Sequence, residues 1–82
     1  MRFTEVWGLT FDAQGKLFVC DYWTNTIVVF DADLNKIGEI HDVPGAGPLN
    51  VPIGTAFDDE GYLYVADGMN NRVLKLEVPP IG

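Results

Sequence analysis

The chain has a single cysteine, Cys20, in 82 residues. A lone thiol excludes an intrachain disulfide and a zinc centre built on several thiolates. Its place inside the apolar run LFVC marks a small buried hydrophobe rather than a reactive group. Positive charge is also scarce: five Lys and Arg stand against twelve Asp and Glu, a net charge of −7. That balance repels a phosphate backbone and removes the electrostatic term that dominates nucleic-acid affinity, so nucleic acid is excluded as a partner. No stretch nears the roughly 18 apolar residues of a membrane span. The N-terminal MRFTEVWGLTF carries one Arg and no long apolar block, unlike a secretory signal. A soluble chain with no membrane partner is expected, in a compartment the sequence leaves open. Histidine is represented only by His41, and there is no Gly-x-Ser-x-Gly, phosphate-binding loop or pair of catalytic carboxylates. No catalytic residue is assigned.

What is plentiful is apolar: the chain is 48% hydrophobic and 12% aromatic, a globular composition that favours sheet. Its length allows one small domain, which removes only about 60% of the unfolded surface from water. Sliding the sequence on itself by 46 positions lays WGLTFDAQGKLFVCDYWTNTIVVFD (7–31) over IGTAFDDEGYLYVADGMNNRVLKLE (53–77) without a gap. Eight of these 25 positions are identical: Gly8/Gly54, Phe11/Phe57, Asp12/Asp58, Gly15/Gly61, Leu17/Leu63, Val19/Val65, Asp21/Asp67 and Asn25/Asn71. A period of forty-odd residues marks a solenoid, propeller or array. The chain is therefore read as one unit of two repeats, 1–46 and 47–82.

Each repeat breaks into short β-type runs split by turn chemistry: GLTFD, KLFVCD, TIVVFD and KIGEIH in the first. The links are far too short for βαβ crossovers, so each repeat is predicted to be an antiparallel meander. FDAQGK and FDDEGY carry an Asp whose carboxylate can accept the N–H two residues on, and a Gly for the positive φ that closes a bulged hairpin. DADLNK (31–36) supplies the same kind of turn. Its likeness to an EF-hand loop fails at Lys36, where Gly is required, and at Asp42, the twelfth residue. Alternation places Leu17 and Val19 opposite Phe18 and Cys20, and Ile27 and Val29 opposite Val28 and Phe30. Sheets apolar on both faces must be sandwiched between others, as propeller blades are. Gly8 and Gly54 suit the crowded axis where innermost strands converge.

The stretch PIGTAFDDEGYLYVADGMNNRVLKLE (52–77) resembles the NHL repeat, whose usual shape is Pro-x-Gly-h-Ala-h-Asp, a short turn, then h-h-Val-Ala-Asp-x-x-Asn-Asn-Arg-h. The match is specific in the second copy and looser in the first. The resemblance implies a four-stranded blade of a propeller, usually six-bladed, in a superfamily of binding scaffolds that also includes calcium-dependent lactonases and lyases. Full propellers of this kind are about three times as long. The second copy stops at EVPPIG without a counterpart of KIGEIHD. The expected fold is all-β: two four-stranded antiparallel NHL-like blades, the second lacking its own outer strand, completed to a six-bladed (or eight-bladed) propeller by oligomerisation. Two blades alone would leave two flanking faces bare, larger than the few hundred Å² a soluble monomer exposes. The expected partner is therefore the chain itself, a homotrimer by preference or a homotetramer, through a heterologous interface. The alternative is a piece of a longer propeller. Lys75 interrupts one face of the second repeat, and a stem that snorkels past apolar neighbours accommodates it.

In such a fold the loops after the second strand of each blade and the connection between blades gather on one rim. That rim would carry Tyr22, Trp23 and Asn25, then Met69, Asn70 and Arg72, and His41 from the connection HDVPGAGPLNVP; these seven form the candidate ligand-binding set. Tyr, Trp and Arg dominate binding hot spots. Packing of Trp23 over a neighbouring blade's edge is the structural alternative. Asp21 and Asp67, at strand ends just before these loops, are the weak metal candidates. Calcium wants six to eight oxygens, and no Glu or Asn stands at the strand starts where the lactonase relatives supply theirs. Capping of the loops' own N–H groups is preferred for both. No cofactor is assigned, and Ca²⁺ enters only with the enzymatic alternative. The expected function is a non-catalytic, self-assembling scaffold that binds a protein, peptide or small ligand at its rim. A calcium-dependent lactonase-like or lyase-like enzyme and a purely structural fragment are the alternatives.

Overall fold

A computed structural model describes residues 6–21, 23–43 and 45–78, with side chains from Gly8 onward. Its first sheet has four antiparallel strands in sequence order: β1 (Val6–Phe11), β2 (Leu17–Asp21), β3 (Thr26–Phe30) and β4 (Lys36–Ile40). A short hairpin, β5 (Asp42–Val43) with β6 (Gly47–Pro48), lies in the connection. The second sheet has three strands, β7 (Pro52–Phe57), β8 (Leu63–Asp67) and β9 (Arg72–Leu76), with the 3₁₀ turn Gly68–Asn70 between the last two. The fold is all-β, with antiparallel meanders of four and three strands as the repeat predicts. The connecting hairpin was not foreseen.

Three hairpin turns share one device. Oδ1 of Asp12 accepts the N–H groups of Gln14 at 3.0 Å and Lys16 at 2.8 Å, and Asp58 does the same for Glu60 and Tyr62 at 2.9 and 3.0 Å. Gly15 and Gly61 supply the positive φ, +86° and +87°. Asp31 likewise holds Asp33 and Asn35, both at 2.9 Å, but the left-handed position there is Leu34, at φ +65°. A left-handed leucine is strained, and this one is exposed, so little burial is at stake. Leu34→Gly is expected to raise stability by about 0.5–1 kcal/mol, the relieved strain outweighing glycine's entropy cost. A higher urea midpoint with an unchanged slope is the readout.

The two sheets stack face to face over one core. Phe18, Cys20, Ile27, Val29 and Ile40 from the first sheet meet Leu63, Val65 and Leu76 from the second, with Val43 and Leu49 of the connection closing one end. Phe18 and Phe57 meet edge to face across this interface, centroids 5.0 Å apart at 75°. The innermost strands β1 and β7 converge. A Cβ added at Gly8 would lie 3.2 Å from the Gly54 Cα and 3.4 Å from the Ile53 carbonyl, which is the crowding that glycine relieves.

The other faces behave differently from each other. On the first sheet Val19, Val28 and Phe30 form a second buried cluster with Leu17 against it, while Leu9 and Phe11 are 57% and 60% exposed. The expectation of two bare flanking faces is thus corrected at the centre of the first sheet. Val19, Val28 and Phe30 lie on the central strands β2 and β3 and are buried there, whereas Leu9 and Phe11 sit on the edge strand β1 and stay exposed. On the second sheet the outward face is open at Val73, which is exposed. The Lys75 ammonium sits 4.4 Å from the Tyr62 ring centroid and 5.9 Å from that of Tyr64, so the lysine folds over aromatic surface.

Burial raises the Cys20 thiol to a pKa of about 11, with the neighbouring Thr55 side chain lowering it slightly. Thiolate is the attacking form, so at pH 8 the folded protein is expected to react with a soluble aromatic disulfide about 100-fold more slowly than the urea-unfolded chain. Equal rates would place the thiol at the surface.

Candidate functional site

The loops β2–β3 and β8–β9 both reach the connection between the sheets and hydrogen-bond to it. Asn25, left-handed at φ +57°, accepts the Val51 N–H on Oδ1 at 2.8 Å. From the other side Gly68 N–H donates to the Val51 carbonyl and Met69 N–H to that of Asn50, each at 3.0 Å. The turn of the first sheet therefore grips the chain where it enters the second.

Asp67 is the hub of this arrangement. It is fully buried, and its carboxylate accepts the Asn50 N–H at 2.7 Å, the Asn70 amide at 2.7 Å and Arg72 Nε at 2.9 Å. Burial pushes its pKa up, but these three donors outweigh burial and hold the carboxyl below the usual carboxylate range. Arg72 extends past Asp67 to the carbonyls of Ala46 at 3.0 Å and Pro48 at 3.4 Å, and Asn70 reaches Pro48 at 3.3 Å. A single guanidinium thus ties β9 to the β5–β6 hairpin, its planar fork matching carbonyls that the Gly/Pro-rich connection leaves without ladder partners. The corresponding Asp21 is buried and caps its own loop, accepting the N–H groups of Trp23 at 3.2 Å and Thr24 at 3.4 Å.

The seven candidate binding residues therefore separate. Asn25, Asn70 and Arg72 hold the connection. His41 stands apart: its Nε2 lies 2.8 Å from Glu39 Oε2, with Lys36 on the other oxygen of that carboxylate. Those charged groups sit on the edge strand β4 and its end, where charge discourages strand addition. Trp23 and Met69 project from their loops, 68% and 64% exposed. Tyr22 lies outside the described residues.

The oxygens of Asp21 and Asp67 are turned toward N–H donors, and among the described residues no group of three or more His, Cys, Asp or Glu is placed to hold a metal ion. A calcium site of the kind the family resemblance implies does not fit this donor set. Sequence reasoning did not find the role of Asn50 and Val51, which act through backbone groups. The usable signal was Arg72 following a buried Asp by five residues, opposite a connection rich in carbonyls that no strand pairs.

Residues 3–30, within the first copy, match the family model of the NHL repeat. The motif reading had placed the closer resemblance in the second copy. A comparison with curated proteins gives no match. Among solved structures the chain is similar to virginiamycin B lyase from Staphylococcus aureus, with a TM-score of 0.60 and 14% identity over 94% of this chain and 28% of the lyase. The chain thus spans little more than a quarter of that protein, and the likeness concerns the fold: this is a β-propeller fragment. No helix among the described residues is long and apolar enough to cross a membrane.

Proposed function

We propose that the chain is a non-catalytic propeller scaffold that completes a ring from copies of itself, three by preference, and binds apolar peptide segments through its rim. The observation that carries the reading is the pair Trp23 and Met69. They occupy the same position in the two repeats, on equivalent loops, and both leave a large apolar side chain exposed. Trp is the leading hot-spot residue and Met adapts to varied partners. Around a closed ring the two would alternate as a discontinuous apolar crown on a rigid support. The polar residues of the same rim, engaged with the connection, would keep that support stiff.

The test has two arms. Light scattering is expected to give three chain masses, and a stable single chain at high concentration would remove the ring. Peptides selected from a random library on the wild-type protein are expected to bind at least tenfold more weakly to a Trp23→Ser/Met69→Ser variant. Unchanged binding would remove the crown.

The lyase neighbour suggests an enzymatic alternative, but its likeness carries the fold only. Melting is expected to be the same with Ca²⁺ and with EDTA, since the aspartates at the loop bases already serve N–H donors. A rise of several degrees with Ca²⁺ would favour the enzymatic reading.

A further inference from the structure

We propose that Met69 is a redox-modification site: oxidation of its thioether by hydrogen peroxide turns down apolar binding at the rim and leaves the fold intact. The proposal rests on the rim reading above and adds a regulation to it. The turn that carries Met69 is held from every side but one. Gly68 presses so closely on the connection that an added Cβ would lie 2.9 Å from the Val51 carbonyl oxygen, with methyls of Ile53 3.5 Å away. The Gly68 N–H donates to that carbonyl, the Met69 N–H to the carbonyl of Asn50 and the Asn71 N–H back to that of Gly68, at 3.0, 3.0 and 3.2 Å. Asn70 is engaged with Pro48 and Asp67, and Arg72 with Asp67, Ala46 and Pro48. None of these bonds uses the Met69 side chain, which is 64% exposed.

The other sulfur among the described residues is the opposite case. Cys20 is fully buried, and burial raises its pKa to about 11, so an oxidant finds neither access nor thiolate. A thioether reacts without ionising, so exposure decides its fate. In the step itself the peroxide O–O bond breaks and one oxygen bonds to the Met69 sulfur. Sulfur gives up two electrons, and the reduced peroxide leaves as water. The product carries a polar S=O that accepts hydrogen bonds and donates none. In the free protein this oxygen stands in water, so the turn loses nothing. Against an apolar peptide it must shed that water without finding a partner, and the cost falls on the complex alone. Trp23, at the equivalent position of the first repeat, carries no sulfur, so the other half of the crown stays apolar and binding is weakened rather than abolished.

The test uses the full chain, treated with hydrogen peroxide and desalted, and peptides free of Met, Cys and Trp selected from a random library on the untreated protein. Mass spectrometry is expected to place one added oxygen on Met69 and none on Cys20, with circular dichroism and melting unchanged. The peptides are expected to bind about fivefold more weakly after treatment, and methionine sulfoxide reductase with dithiothreitol to restore them. Met69→Leu, whatever its own affinity, is expected to bind equally before and after peroxide, which assigns the effect to Met69 rather than to Met1 or Trp23. The switch is overturned, with the rim reading left standing, if Met69 resists oxidation in the folded protein, if its conversion leaves binding unchanged, or if binding falls equally in Met69→Leu. A fall of several degrees in melting on conversion would make the loss one of folding and overturn it too. Equal binding by the untreated protein and its Trp23→Ser/Met69→Ser variant removes the rim reading, and the switch with it.

Discussion

Asp67→Ala is expected to cost about 3 kcal/mol, the low end of what removing one partner from a buried ion pair costs, because Arg72 is 31% exposed and can recover part of its solvation. The loss has several parts. Arg72 and Asn70 lose their anchor, and the Asn50 N–H loses its acceptor at the point where the chain enters the second sheet. A domain of this length has roughly 4–12 kcal/mol of stability in total, so the variant is expected to be partly unfolded near body temperature. Asp67→Asn keeps one acceptor oxygen and the shape while losing the charge, and should fall between the two. Chemical denaturation of the three proteins is the measurement, and a loss below about 1 kcal/mol in Asp67→Ala would reduce the cluster to an ordinary turn cap. The same carboxylate sets an acid limit. Its folded pKa is depressed, so its contribution is complete above the unfolded value near 3.9 and is lost as pH falls through the lower folded value. Asp31 and Asp58 are shifted in the same direction, Asp31 chiefly by the Asn35 backbone and Asp58 by Tyr62 and Tyr64 donors that outweigh its desolvation. Melting should therefore be flat from pH 7 to 5 and decline below about pH 4, and the decline should be shallower in Asp67→Asn.

Much of this fold was legible because the repeat states it twice. Asp12 and Asp58, with Gly15 and Gly61 three residues on, specify their hairpins by local chemistry alone, and the structure shows the same bonds in both. The apolar runs of β2 and β3 announced burial on both faces because no polar residue breaks them. The rim was harder to read. Asn70 and Arg72 have the composition of a binding site, yet their partners are carbonyls 22 to 26 residues away, and a backbone carbonyl leaves no mark in the sequence. The β5–β6 hairpin escaped notice for a related reason. Its two-residue strands are too short for alternation, and its shape comes from Gly45 and Gly47 at φ +80° and +84° together with the guanidinium that closes over it. Trp23 and Met69 stood out in the sequence for their bulk. That they occupy one position in two repeats became informative only when both proved exposed.

Gly8→Val is expected to be the second most damaging substitution, at about 2–3 kcal/mol, although valine favours strands and glycine does not. Strand propensity should lose here because the obstacle is backbone. The added Cβ would sit 3.2 Å from the Gly54 Cα and 3.4 Å from the Ile53 carbonyl oxygen, neither of which can rotate away, and the two further methyls of valine need more room still. The sheets would have to part where β1 and β7 converge, loosening the Phe18–Phe57 contact beside them. Gly8→Ala should cost less, about 1 kcal/mol, because a few tenths of an ångström of give suffices. The informative comparison is with Gly54→Val in the same unassociated chain, where the repeat position and residue are identical but the space is open. There the gain in strand propensity should leave stability unchanged or slightly raised. If both valines are tolerated equally, β1 and β7 do not meet at a propeller axis, and the sheets stack as an ordinary sandwich. If only Gly8 is intolerant, the close approach of β1 and β7 is what glycine serves at that position.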